Sequence, residues 1–315
     1  MVSGEFGKFN ELLFENNSSE SWKLLQNLFQ QFDFVFCELI SERLYEIESD
    51  ELSRYFDIKD SFNYAREFLY CLNKSYGERF DVLTRAFIDG KPIYTIKPID
   101  TAIDKENSIT EGFINIAYEN TARDAWSIVH ETFHLFNYGT IDVDGKKVVN
   151  LTMRLFTELV SILAEKLYIA FAYNRKYIDG KEAAILLNDR IDNTHLSLYL
   201  TICEQQYLAL NKQGVYITPY IIKQIKKQYK SVPYYNDVWK DESKNHDTVH
   251  NAVVRGTLTY PVNIGYLIGE YYSNLILDQY ENPKELLIEL NEMISKPDVK
   301  TSDVLGNCLE KRLKR

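Results

Sequence analysis

The sequence predicts a mainly α-helical protein with one small β-sheet beside its central helices. Apolar residues recur at helical spacing along most of the chain. Strand-like runs are confined to residues 91–99 and 112–118. A long helical run extends from about Asn150 to Asn174, and Leu155, Leu159, Ile162 and Leu163 mark it as deeply packed. The chain has 315 residues, 45% of them hydrophobic, with 23 Tyr and 17 Phe. That is enough for one large domain or two closely joined lobes around a substantial core.

The elements follow in order. Residues from about Ser19 to Cys71 read as helices: FVFCELISERLYEI places Phe34, Phe36, Leu39, Ile40 and Leu44 near one stripe, and Ser61 to Lys74 repeats the pattern. KPIYTIKPI, residues 91–99, reads as a short strand or extended segment, with β-branched and aromatic residues between prolines. GFINIAY, residues 112–118, is a better strand, with Phe113, Asn115 and Ala117 alternating with Ile114, Ile116 and Tyr118. Asn120 or Thr121 then caps a helix through ARDAWSIVHETFHLFNYG, and Gly139 is a natural stop. IDVDGKK, residues 141–147, reads as a turn before the long helix. The remainder reads as mostly helical, with breaks near Gly180, Gly214 to Pro219, Ser231 to Asn236 and Gly256 to Pro261.

Charge and cysteine usage narrow the class. A formal net charge of -10 repels phosphate backbones and disfavours nucleic-acid binding, and the basic run Glu310 to Arg315 reads as a solvated tail. Cys37, Cys71, Cys203 and Cys308 are widely spaced with no CxxC pair, which reads as reduced, partly buried thiols in a cytoplasmic protein. No basic region followed by an apolar stretch opens the chain, so no signal peptide is expected, and no uncharged apolar run is long enough to predict a membrane span.

Residues 130–134 read HETFH. Positions i and i+4 share one face of a helix, so His130 and His134 can present two imidazole nitrogens to one ion. Zn²⁺ is the expected metal, one per chain. Glu131 is placed to take a proton from a water on that metal. With five histidines in the chain, the pattern is improbable by chance. Trp126, Ile128, Val129, Phe133 and Leu135 make the helix nearly apolar, so its buried histidines and glutamate need partners. A catalytic zinc takes three protein ligands. Glu158 and Glu165, seven apart on the next helix, share a face. One can bind metal while the other orients a ligand histidine, and the apolar run around Glu158 favours it as the ligand.

EGFINIAYENTARDAWSIVHETFHLFNYG followed by FTELVSILAE resembles the strand–helix–helix signature of the thimet oligopeptidase and oligoendopeptidase F metallopeptidases. The likeness covers about residues 93–280 and is strongest over 112–166. It implies a zincin-like helical catalytic domain with a substrate cleft, and cleavage of short or unstructured peptides. It implies Glu158 as third ligand, with Ser161 and Glu165 at the matching positions that orient the histidines. It also implies that residues 112–118 form an edge along which an extended peptide pairs, bringing Phe113, Asn115 and Ala117 to the substrate. YPVNIGYLIGEYYSNLILDQY resembles the family's Tyr-rich helix, in which a hydroxyl donates to the developing oxyanion. Tyr266 matches the first such tyrosine; Tyr271 and Tyr272 are displaced in register, and Glu270 stands at the expected place. Two further departures are Phe133, where the family commonly has glycine, and the missing histidine ahead of the Tyr helix. His250 is the nearest substitute and a candidate substrate contact.

The domain expectation is an N-terminal helical region, residues 1–90, forming one wall or lid of the cleft. Residues 91–315 form the peptidase region, continuous with the first as one structural unit. The chain is shorter than usual members of the family, as a reduced catalytic core would be. The functional expectation is a zinc-dependent endopeptidase or oligopeptidase with a peptide as its partner. The alternatives are a maturation protease dedicated to one partner peptide and a catalytically inactive peptide-binding homologue. His246 with His250 reads as a polar helix start, His195 as a helix-start residue, and DVDG, residues 142–145, lacks the ligand pattern of a Ca²⁺ loop.

Overall fold

The computed structural model describes residues 52, 54–88, 91–92, 94–98, 108–110, 113–137, 140–143, 146–149, 151–194, 197, 260–296, 299 and 303–304. Most of these are helical. The expected helices before residue 52, the breaks between 214 and 259, Gly139, His195, His246, His250, and the thiols of Cys37, Cys203 and Cys308 lie outside the described residues.

The first described helices are α1 (Ile58–Leu72) and α2 (Lys74–Leu83). Asp57 caps α1 by accepting from the Lys59 N–H at 2.8 Å. Asn73 ends α1 and accepts from the Ser75 N–H at 2.9 Å, so one residue closes the first helix and starts the second. Cys71, expected to be partly buried, is exposed. It falls between the buried stripe of Ala65, Phe68, Leu69 and Leu72 and the solvent side of α1.

Short strands follow: β1 (Phe87–Ile88), β2 (Lys91–Pro92), β3 (Tyr94–Pro98), β4 (Ser108–Thr110) and β5 (Phe113–Tyr118). The last three form a sheet in the order β3-β5-β4. Ile114 pairs with Tyr94 of parallel β3 on one side and with Ile109 of antiparallel β4 on the other. Ile114 and Ile116 are buried, as the alternation of the strand requires. The expectation of an open edge along residues 112–118 is therefore corrected. β5 is the middle strand, and the ladder positions of Phe113 and Asn115 are occupied by Thr110 and Ser108.

The chain enters α3 (Ala122–Phe136) through Asn120, which adopts the left-handed conformation at φ 58°. Of the two expected caps, Thr121 serves. It accepts from the Arg123 N–H, and Asp124 reaches back to the Thr121 N–H at 3.1 Å and the Glu119 N–H at 2.8 Å. The segment expected as a turn before the long helix is a hairpin, β6 (Thr140–Val143) against β7 (Lys146–Val149).

α4 (Leu151–Asn174) is the central helix. Residues 158–169 are all buried, so it is surrounded rather than amphipathic. It packs against α3, against α6 (Tyr260–Gln279) and against α7 (Pro283–Ile294). Lys176, at φ 62°, reverses the chain after α4, and the Tyr177 N–H donates to the Ala172 carbonyl at 2.9 Å. Asp179 and Glu182 then cap reciprocally the helix over 180–194, α5.

One hydrophobic core joins these elements, from Phe56 on the N-terminal side to Val304. α1 and α2 belong to it. Tyr76 of α2 packs edge-on against Phe133 at 5.7 Å and lies 5.3 Å from Phe136, on the helix that carries His130 and His134. Phe133 is fully buried there, which accounts for a large side chain where the resembled family commonly has glycine. Among the described residues no helix is long and apolar enough to cross a membrane.

Candidate metal centre

α3 and α4 face each other with buried polar groups. His130 Nε2 and His134 Nε2 lie 2.7 Å apart. Glu158 comes from α4 to meet both, with Oε2 3.6 Å from His130 Nε2 and Oε1 3.4 Å from His134 Nε2. One donor atom from each of the three lies within 4.8 Å of the others. Glu158 Oε2 is buried without a hydrogen-bond partner. Two imidazole nitrogens and an orphaned carboxylate oxygen converging in a buried site suit the donor chemistry of zinc.

The Nδ1 edges of both histidines also have neighbours on α4. The Glu165 carboxylate forms an ion pair with His130 Nδ1, on the ring edge away from Nε2. Ser161 Oγ is 3.4 Å from His134 Nδ1 and can accept a hydrogen bond from it. Glu158, Ser161 and Glu165 thus all lie on the side of α4 that faces the two histidines. Burial draws the His130 imidazolium down, but the carboxylates of Glu165, Glu131 and Glu158 outweigh it and lift the group to about 9. Burial, reinforced by the charge on His130, holds His134 well below the ordinary histidine range. Burial raises Glu158 to about 7 against the pull of His130 and Arg190. Glu131 is 7% exposed, and burial raises it to about 6.

α6 closes the third side. Gly269 is where it approaches α4 most closely: a Cβ there would lie 3.1 Å from the Glu158 backbone carbonyl and 2.6 Å from the Ile162 side chain. Three residues earlier, the Tyr266 ring lies parallel to His130, at 6.2 Å between centroids and 10° between planes. Burial, with Glu158 adding to it, keeps the Tyr266 hydroxyl protonated well above its usual range. Of the three tyrosines singled out by the sequence, Tyr266 is the one whose ring lies against His130. Tyr272 is buried in the core with Tyr271 packed beside it, their rings 5.0 Å apart. Glu270, which lies between them and Tyr266 in register, is buried against Lys166 and is 3.9 Å from Arg190.

Sequence reasoning missed the cations that face this cluster. Lys166 Nζ donates to Glu270 Oε1 at 2.6 Å, Ser273 Oγ at 2.9 Å and Asn274 Oδ1 at 2.6 Å. Arg190 of α5 donates to Glu165 Oε2 at 3.5 Å and sits 4.8 Å over the Tyr266 ring. A signal existed for Arg190. Glu182, Leu186, Arg190 and Thr194 recur every four residues, and that side of the helix is buried. No family model, no curated protein and no solved structure matches this chain.

Proposed function

We propose that this chain is a zinc-dependent peptidase of shortened, zincin-like form, resembling the thimet oligopeptidase and oligoendopeptidase F enzymes, that hydrolyses short or unstructured peptides. The observation that carries this reading is the convergence of His130, His134 and Glu158 within 4.8 Å, immediately beside Glu131. In this reading those three residues hold the metal, Glu165 and Ser161 orient the histidines, and α3, α4 and α6 form walls of the substrate cleft.

Zinc, when bound, supplies a Lewis acid that polarises the scissile carbonyl and acidifies water. The chain's own residues do the rest. Glu131, raised to about 6, is ionised at neutral pH and takes a proton. Its pKa is also near enough to neutrality to return that proton to the leaving amine. Tyr266 remains a hydrogen-bond donor at any physiological pH and is the candidate to stabilise the oxyanion. The burial of Glu131 and Glu158 keeps bulk water from screening these charges. A cytoplasmic location goes with the widely spaced cysteines.

The test is metal content by elemental analysis of the wild type and of His134→Ala, beside hydrolysis of a mixed peptide library. About one zinc per chain, lost in the variant together with cleavage, is the expected result. Zinc without cleavage of the library would redirect the reading to a dedicated maturation protease or a peptide-binding homologue. No zinc after supplementation would remove its basis.

A further inference from the structure

Arg190 is 3% exposed, yet among the described residues it makes one hydrogen bond, to Glu165. Its Nε lies 3.9 Å from Glu270 Oε2, and neither Nε nor Nη2 has a hydrogen-bond partner. A guanidinium carries five N–H donors, and burying most of them unsatisfied is unfavourable. A residue needed only to fill space would be better apolar. The position therefore calls for something the charge accomplishes.

What it touches supplies the answer. Glu165 offers two oxygens: one faces His130 Nδ1 and the other accepts from Arg190 Nη1. The carboxylate is thus stretched between α3 and α5 and cannot turn away from the imidazole. The guanidinium also lies over the Tyr266 ring, which is itself parallel to His130. Both groups that bracket His130 therefore rest on one side chain. Lys166, the next residue after Glu165, cannot substitute, because its three donors are directed to Glu270, Ser273 and Asn274. Arg190 is in turn held in place by its neighbour Asp189, which accepts from Arg123 Nε at 2.6 Å and Nη2 at 3.1 Å and so ties α5 to the start of α3.

We propose that Arg190 is a positioning residue of the metal centre, fixing the Glu165 carboxylate and the Tyr266 ring so that His130 Nε2 is directed toward His134 and Glu158. This inference rests on the zinc reading above.

The experiment measures zinc affinity by competition with a chelator, and the absorption spectrum of the cobalt-substituted protein, for the wild type, Arg190→Gln, Arg190→Lys and Lys166→Met. Outer-shell partners of metal-bound histidines typically contribute about 10–100-fold in affinity. The zinc dissociation constant is expected to rise by that factor in Arg190→Gln and by a smaller one in Arg190→Lys, with a shifted cobalt spectrum in both. The lysine variant keeps the charge and is the one to read if Arg190→Gln does not fold. Lys166→Met, which breaks a buried ion pair that does not touch Glu165, is expected to lower thermal stability and keep wild-type zinc affinity. Wild-type affinity and an unchanged spectrum in either arginine variant overturn the assignment. An equal loss of zinc from Lys166→Met also overturns it, because loosening of the core would then suffice. A wild type that takes up no zinc sinks the zinc reading and this inference together, whereas zinc in the wild type with unaltered arginine variants sinks the inference alone.

Discussion

His130 and His134 meet through their Nε2 atoms at 2.7 Å, a distance at which one ring must donate and the other accept. In the metal-free protein the proton belongs to the His130 side, which the surrounding carboxylates lift to about 9. A metal needs both nitrogens unprotonated, so binding must expel that proton.

A stability prediction follows from the signs. His130 has a raised folded-state pKa, so its contribution is full below about 6.5 and is lost as pH rises through about 9. Glu158, raised to about 7, contributes in the same direction, its share being lost as pH climbs from about 4.5 through 7. His134 is depressed, so its share is lost only as pH falls below about 6.5. Above pH 6.5 the first two act unopposed by the third. Chelator-treated protein is expected to melt at progressively lower temperature from pH 6.5 to 9, while the rise in Tm on adding zinc grows across the same interval. Calorimetry at half-unit steps checks this; a zinc-induced shift that shrinks with pH would contradict it.

Glu131→Gln separates metal binding from turnover. Glu131 is not one of the three converging donors, so the variant is expected to retain about one zinc per chain. Loss of the general base should lower kcat by about 10²–10⁴-fold or more. The substitution also removes a carboxylate whose ionisation burial has made unfavourable, raising it from 4.5 to about 6. Metal-free Glu131→Gln should therefore be more stable than wild type at pH 7.5, by about 1–2 kcal/mol. Elemental analysis, steady-state hydrolysis and urea denaturation together decide it, and a variant that turns over at the wild-type rate would refute the assigned role.

Gly269→Ala tests the close approach of α6 to α4. A methyl group at that position meets the Glu158 carbonyl at 3.1 Å and Ile162 at 2.6 Å. Overpacking of this kind costs about 1–3 kcal/mol, against a gain of about 1 kcal/mol in helix propensity. The net expectation is a loss of up to about 2 kcal/mol, together with weaker zinc binding as Tyr266 shifts on His130. Gly180→Ala, where an added Cβ meets only Tyr173 at 3.8 Å, should be free of both effects. Equal stability of the two variants would remove the argument that the helix contact sets the site.

The parts of this structure that sequence exposed are the local ones. The i and i+4 histidines and Glu158 with Glu165 on one face of α4 follow from helical periodicity, and capping chemistry narrows the start of α3 to Asn120 or Thr121. Strand pairing was not legible. Whether β5 lies at an edge depends on where Ser108–Thr110 and Tyr94–Pro98 dock, and nothing in residues 113–118 encodes that. The hairpin at Thr140–Val149 reads as a turn in sequence because its strands are short and partly charged. Arg190 is not legible because its partners, Glu165, Tyr266 and Glu270, are 25 or more residues away in sequence, and an arginine between Asp189 and Asp192 ordinarily reads as part of a solvated polar face.

The β6–β7 hairpin has a consequence for the order of assembly. By joining α3 directly to α4, it brings His130, His134 and Glu158 together from one contiguous stretch of chain, with no crossing by distant segments. Contacts of short sequence separation form early and cheaply in loop-closure entropy. Tyr266 arrives only with α6, after the whole of α5 and the residues that follow it. During synthesis the three donors leave the ribosome well before Tyr266 does, so on the proposed reading an ion could be captured by a nascent chain that does not yet have this tyrosine. On the zinc-peptidase reading, uptake of metal would therefore precede the gain of activity in the life of the molecule.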